Sequence, residues 1–99
     1  MNKICVIGLG YVGLPTATIF ASKGFSVLGV DIDINKVEAV NSGKCYIREL
    51  GLDVLLRDVV SKGFLRATTD AVEAVKQSDV VIIAVPIPVK NDVTDLGNR

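Results

Sequence analysis

The 99-residue sequence contains no histidine and no tryptophan, and only two cysteines, Cys5 and Cys45. Without imidazole there is no Ser-His-Asp or Cys-His catalytic device within these residues, and no zinc site built on histidine. Two cysteines make no C-x-x-C pair and no disulfide framework. Cys5 falls inside an apolar run and reads as a small buried hydrophobe. Cys45 follows Gly43-Lys44 in a polar stretch and reads as a free thiol, and both suit a reducing cytoplasm. Eleven basic and eleven acidic side chains leave no net charge and no basic cluster, which argues against nucleic acid as a partner. The longest apolar run starts at Val80 and meets prolines at Pro86 and Pro88, far short of a membrane span. The opening residues, Met1-Asn2-Lys3 and a few apolar residues before Gly8, are too short for a signal peptide.

Composition is otherwise that of a globular protein, 49% hydrophobic and 22% charged, enough for one core. The chain alternates strand and helix signals. Lys3–Ile7 is a β-branched apolar run stopped by Gly8. Leu14–Ser22 predicts a helix ended by Lys23-Gly24, and Pro15 fits only its first turn, which puts the start near Tyr11–Val12. Ser26–Val30 is a second strand. Asp33 caps a helix over Ile34–Asn41. Leu52, Leu55, Leu56, Val59 and Val60 share one face of a helix over Leu52–Lys62. Phe64–Ala67 is a short strand, and Asp70 with Glu73 has the spacing of a capping box for a helix reaching Gln77. Val80–Val85 is the continuous apolar run expected of a strand buried on both faces of a parallel sheet.

Such alternation with short loops predicts right-handed βαβ units and an α/β fold, a Rossmann-type doubly wound parallel sheet. A complete dinucleotide-binding sheet has the order 3-2-1-4-5-6, and four strands supply a partial one, 3-2-1-4. The expected organisation is a partial NAD-binding domain at 1–90 and a polar tail at 91–99, at the truncation point of an N-terminal fragment. In that order Val80–Val85 is an edge strand without internal charge, so pairing of chains into a homo-oligomer is expected.

Gly8-Leu9-Gly10-Tyr11-Val12-Gly13 is a G-x-G-x-x-G set between a strand and a helix, the context that gives this weak motif meaning. Gly8 makes the turn, Gly10 lets backbone approach a pyrophosphate, and Gly13 lets helix and strand pack closely. Unpaired N–H groups and the positive helix end face the anion. Asp31 ends the second strand, where a carboxylate accepts the adenosine ribose hydroxyls. It also repels a 2′-phosphate: unit charges about 4 Å apart at an effective dielectric of about 20 repel by roughly 4 kcal/mol, which favours NAD over NADP. Asp33 is the rival acid, with a better role as a helix cap. Lys36 is in reach of the same ribose, or is a solvated lysine.

These stretches resemble the nucleotide-sugar 6-dehydrogenases, the family of UDP-glucose, GDP-mannose and UDP-N-acetylmannosamine dehydrogenases. The resemblance runs from Lys3 to about Asp95. It is carried by V-I-G-L-G-Y-V-G-L-P at Val6–Pro15, G-V-D-I-D with Lys36, N-S-G-K at Asn41–Lys44 and I-R-E-L-G-L at Ile47–Leu52. It continues through G-F-L-R-A-T-T-D at Gly63–Asp70 and S-D-V-V-I-I-A-V-P-I-P at Ser78–Pro88. Leu14-Pro15-Thr16-Ala17 and Gly63–Ala67 look most like the UDP-N-acetylmannosamine branch. The resemblance implies NAD as cofactor, a UDP-sugar substrate and oxidation of its C6 alcohol to the acid in two steps through a cysteine-bound intermediate. It implies Gly8, Gly10, Tyr11, Val12, Asp31 and Lys36 as NAD-binding positions, beside Gly13 of the motif. The catalytic cysteine of the family lies in a G-G-x-C-x-P-K-D-like stretch that neither Cys5 nor Cys45 matches, so no catalytic residue is carried over and the 99 residues alone are expected to be inactive.

Two positions depart from the family pattern. Leu50 stands where the family has proline in Glu-Pro-Gly-Leu. Ile87 stands where it has the threonine of Val-Pro-Thr-Pro, and a lost cofactor hydrogen bond there costs about 0.5–1.5 kcal/mol. Two other readings of the motifs are a Rossmann ligand-sensing module without chemistry and a fragment of a hydroxyacid dehydrogenase. Asn41–Lys44, Ile47–Leu52 and Gly63–Asp70 favour the nucleotide-sugar reading.

Overall fold

The computed structural model describes residues 3–85. Eight elements alternate along them: β1 (Lys3–Ile7), α1 (Gly13–Ser22), β2 (Ser26–Val30), α2 (Ile34–Asn41), α3 (Leu52–Ser61), β3 (Leu65–Thr68), α4 (Ala71–Gln77) and β4 (Val80–Ile83). The four strands form one sheet in the order β3-β2-β1-β4. All three ladders are parallel, with Ile7 opposite Val30 on one side and Ile83 on the other. The sequence-derived topology is therefore the one observed.

The period-2 alternation of β1 sorts its side chains into two layers. Ile4 and Val6 join Leu14, Ala17, Ala21, Val37, Val40, Leu56 and Val59 in the larger core, beneath α1, α2 and α3. Cys5 and Ile7 face the other way and pack with Val30 and Ala74 beneath α4. The chain leaves β1 toward β2 under one layer of helices and reaches β4 by way of the other. The crevice between the ends of β1 and β4 is thus the point where strand order reverses, the usual ligand position in such sheets.

Local chemistry sets the boundaries. The Asp33 carboxylate accepts the Asn35 N–H at 2.9 Å and starts α2, as its position implies. Asp70 accepts the Glu73 N–H at 3.0 Å, but the return arm of the capping box is not made. The Asp70 N–H donates to Thr68 Oγ1 and Glu73 accepts from the Gln77 amide. Pro15 lies in the first turn of α1, which begins at Gly13, slightly later than expected. Leu50 occupies the first central position of a turn closed by the Leu52 N–H on the Glu49 carbonyl at 3.0 Å, with Gly51 at φ 83°. That is the geometry of a type II turn, which favours proline but accepts leucine at this position. Leu50 is fully exposed, so the departure from the family pattern removes no packing.

Three expectations are corrected. β3 begins at Leu65, with Phe64 contributing only its carbonyl to the Val27 N–H, and runs past Ala67 to Thr68, whose carbonyl accepts the Asp31 N–H at 3.2 Å. β4 ends at Ile83, although the Ala84 N–H extends the ladder to the Ile7 carbonyl at 2.7 Å. Nor is β4 buried on both faces: Val80, Val81 and Ile83 are 51%, 39% and 70% exposed. Its ladder runs to β1 alone, and α4 packs over β1 and β2 rather than over β4. Ile87 and the 91–99 tail lie outside the described residues, as does the expected boundary at residue 90.

Candidate functional site

The G-x-G-x-x-G residues form the turn between β1 and α1. Gly8 has φ 98°, and its N–H donates to the Val30 carbonyl at 2.7 Å. A Cβ there would come within 2.9 Å of Val85 and meet the backbone of Ala84, so only glycine lets β1 turn beside the end of β4. A Cβ on Gly13 would collide with the Gly8 carbonyl oxygen. At Gly10 the opposite holds, since a Cβ would meet nothing within 4 Å. The structure thus separates the glycines as their spacing implied: two permit close packing, and one borders open space that a ligand can fill.

Among the described residues, the N–H groups of Gly10, Tyr11, Val12 and Gly13 donate to no acceptor. The first internal bond of α1 runs from the Leu14 N–H to the Gly10 carbonyl at 3.1 Å. No acidic side chain occupies the first turn, so the positive helix end is not neutralised. Tyr11 and Val12 are exposed.

Asp31 follows β2 at the mouth of the same crevice. Its Oδ2 accepts the Leu9 N–H and its Oδ1 the Asp33 N–H, both at 2.9 Å. A carboxylate has about four acceptor positions, so roughly one on each oxygen is left for a ligand's hydroxyls. Asp33, the rival acid, is committed to capping α2. Lys36 sits in the first turn of α2 with its Nζ 5.9 Å from the centre of the Tyr46 ring, a cation–π arrangement.

Tyr46, in the loop between α2 and α3, was not singled out from the sequence. Its hydroxyl donates to the Leu9 carbonyl at 2.6 Å. Burial first, and then the negative charges of nearby groups such as Asp31 and Asp33, push its pKa well above that of an ordinary phenol, so it remains a donor. Leu9 is fully buried, and a Cβ on Gly29 would strike its side chain at 2.8 Å. Residue 9 of the motif is thereby held from three directions, by Asp31, Tyr46 and the bare backbone of Gly29.

The rest of the surface offers less. A concavity of about 520 Å³ lies on the α4 side between Lys3, Ser26, Arg66 and Gln77 and includes none of the motif residues. No group of three or more metal-ligating side chains occurs among the described residues. No helix among them is long and apolar enough to cross a membrane. Cys5 is buried, which raises its thiol pKa, and Cys45 donates to the Ile47 carbonyl, so neither is an activated nucleophile.

Residues 2–97 match the UDP-glucose/GDP-mannose dehydrogenase family, NAD binding domain. The chain belongs to this family. The UDP-N-acetyl-D-mannosamine dehydrogenase of Campylobacter jejuni is 57% identical over 91 residues, covering 92% of this chain and 21% of that protein. An NDP-N-acetyl-D-galactosaminuronic acid dehydrogenase of Ralstonia nicotianae is 51% identical over 87 residues, 88% of this chain and 20% of that one. The crystal structure of a ternary complex of GDP-mannose dehydrogenase from Pseudomonas aeruginosa superposes with a TM-score of 0.86 at 43% identity, covering 95% of this chain and 22% of that one. The chain spans about a fifth of the length of these dehydrogenases. As a member of the family, it corresponds to the NAD-binding domain, and its partial Rossmann sheet is the family's fold.

Proposed function

We propose that this chain is the NAD-binding part of a nucleotide-sugar dehydrogenase that oxidises the C6 alcohol of a UDP-sugar to the uronic acid. UDP-N-acetylmannosamine is favoured over UDP-glucose, on the strength of relatives such as the Campylobacter jejuni enzyme. The observation that carries the reading is the open backbone at Gly10 near Asp31, with four N–H groups at the start of α1 that find no acceptor among the described residues. Gly8 and Gly13 shape the loop, while Gly10, Tyr11, Val12 and Gly13 would present N–H groups to the pyrophosphate. Asp31 would accept the adenosine ribose hydroxyls, with Lys36 alongside. Bound NAD supplies the electron acceptor for the alcohol's oxidation. The chain's own residues bind and orient its adenosine half, and the thiol chemistry requires residues that neither Cys5 nor Cys45 provides.

Residues 1–90 are read as a partial domain and 91–99 as a polar tail. The reading also takes the protein to be cytoplasmic, without nucleic-acid or membrane partners, and to form a homo-oligomer through the β4 edge. Calorimetric titration with NAD, ADP-ribose and NADP tests the site. NAD and ADP-ribose are expected to bind with similar affinity and NADP more weakly. Equal binding of NADP would remove Asp31 from the ribose site. With NAD and UDP-sugars, no enzyme-dependent rise in NADH absorbance is expected, and turnover would contradict the division of labour.

A further inference from the structure

We propose that Tyr46 is a positioning residue that latches the glycine loop open for its anion by holding the Leu9 carbonyl away from the start of α1. The inference rests on the dinucleotide-binding reading and adds to it a residue outside the motif.

Leu9 is fully buried and belongs to no strand or helix. Buried backbone groups need partners, and here side chains provide both: Asp31 for the N–H and Tyr46 for the carbonyl. An α-helix pairs each N–H with the carbonyl four residues earlier. For the Gly13 N–H that carbonyl belongs to Leu9. The bond is not made, and helical pairing starts one residue later, from Leu14 to Gly10. The phenol engages one of the two lone pairs of that carbonyl and fixes its direction, in competition with the Gly13 N–H. Removing the hydroxyl frees the Leu9 carbonyl to capture Gly13, winds α1 back by a residue and takes one N–H from the anion site. The same ring carries the Lys36 ammonium on its face, so one side chain sets both the pyrophosphate loop and the cation near Asp31. The raised pKa of the phenol keeps this donor protonated at all neutral and moderately alkaline pH.

The test uses the 99-residue chain and two variants, Tyr46→Phe and Val59→Ala. Val59 is on the buried face of α3 and makes no part of the loop, so its truncation reports plain loss of stability. Calorimetry with NAD and with ADP-ribose is run well below each melting temperature, beside amide exchange of the free proteins by NMR. Tyr46→Phe is expected to weaken both ligands about five- to tenfold, a loss of the size of one hydrogen bond. Its Gly13 amide should exchange more slowly than in the parent. Val59→Ala should lower the melting temperature while leaving affinity and the Gly13 amide unchanged. Parental affinity and parental Gly13 exchange in Tyr46→Phe would overturn the latch. Failure of the parent chain to bind either ligand would instead overturn the dinucleotide reading, while the Gly13 amide would still report on the latch.

Discussion

The two outer strands of the sheet meet their surroundings differently. On β3 the outward backbone of Ala67 is covered by one side chain: Asn41 Nδ2 donates to its carbonyl at 2.9 Å and Asn41 Oδ1 accepts its N–H at 2.8 Å. The amide mimics a further strand and closes that edge. On β4 no described residue does the same, and Val80, Val81, Ile83 and Val85 are partly or largely exposed. The start of β4 is pinned to β1 by the Asp79 N–H on the Lys3 carbonyl and the Lys3 N–H on the Asp79 carboxylate, while no strand among the described residues pairs with its far side. The closed half, β3-β2-β1, is also the half that carries Asp31, Tyr46 and the glycine loop. The site proposed for the adenosine end of a dinucleotide thus draws on that half, with long-range bonds linking Asp31 and Tyr46 to Leu9.

Breaking the closed half at its tightest point gives the largest expected effect. Gly13→Ala places a Cβ against the Gly8 carbonyl and should destabilise the chain by about 3 kcal/mol, with loss of NAD binding. Gly10→Ala meets open space, so its melting temperature should stay near the parent's while NAD affinity falls. Urea denaturation of both variants decides the matter, and equal losses of stability would show that the glycines do not divide their roles. Next in size is Asp31→Asn. Loss of the charged acceptor should weaken NAD by about 2 kcal/mol and narrow the gap between NAD and NADP, read by titration with each. An undiminished preference for NAD would place the discrimination elsewhere.

Much of this contrast was legible in the sequence. The topology followed from alternation, and the helix caps at Asp33 and Asp70 from residue chemistry. The three motif glycines followed from their spacing, because these features are local. Two kinds of information were not. Burial of β4 was misjudged because a continuous apolar run states only that a strand can be covered on both faces, and its neighbours decide whether it is. Tyr46 and Asn41 escaped notice because each acts on the backbone of a residue distant in the chain, 37 and 26 positions away. A carbonyl accepts from any donor, so nothing in the local pattern marks the side chain that reaches it.

The closure of β3 is tested by Asn41→Ala, which removes both hydrogen bonds to Ala67. The expected loss is about 1–2 kcal/mol, measured by urea denaturation, with NAD affinity near the parent's. A loss below about 0.5 kcal/mol would mean that water serves the β3 edge equally well, and the contrast between the two edges would reduce to their side chains.

The smallest effect on the fold itself is expected on the open edge. Ile83 is 70% exposed, so Ile83→Lys should change stability by less than about 0.5 kcal/mol. What it should change is association. The β4 backbone, which no strand among the described residues pairs on its outer side, sits beside apolar side chains on both faces: Ile82 and Ala84 pack toward the larger core, while Val81 and Ile83 lie opposite Cys5 and Ile7 of the α4 layer. Burying a few hundred Å² of this surface contributes on the order of 10 kcal/mol before association costs of similar size, so the balance is close enough for one charge to tip it. A lysine on the strand is also the commonest natural protection of an edge. Light scattering at micromolar concentration should therefore find the parent as a dimer or larger species and Ile83→Lys as a monomer, with both binding NAD alike, because Asp31 and the glycine loop lie on the closed half. A monomeric parent would show that the β4 edge needs no second copy, and the difference between the two edges would then be one of side-chain exposure without consequence for assembly.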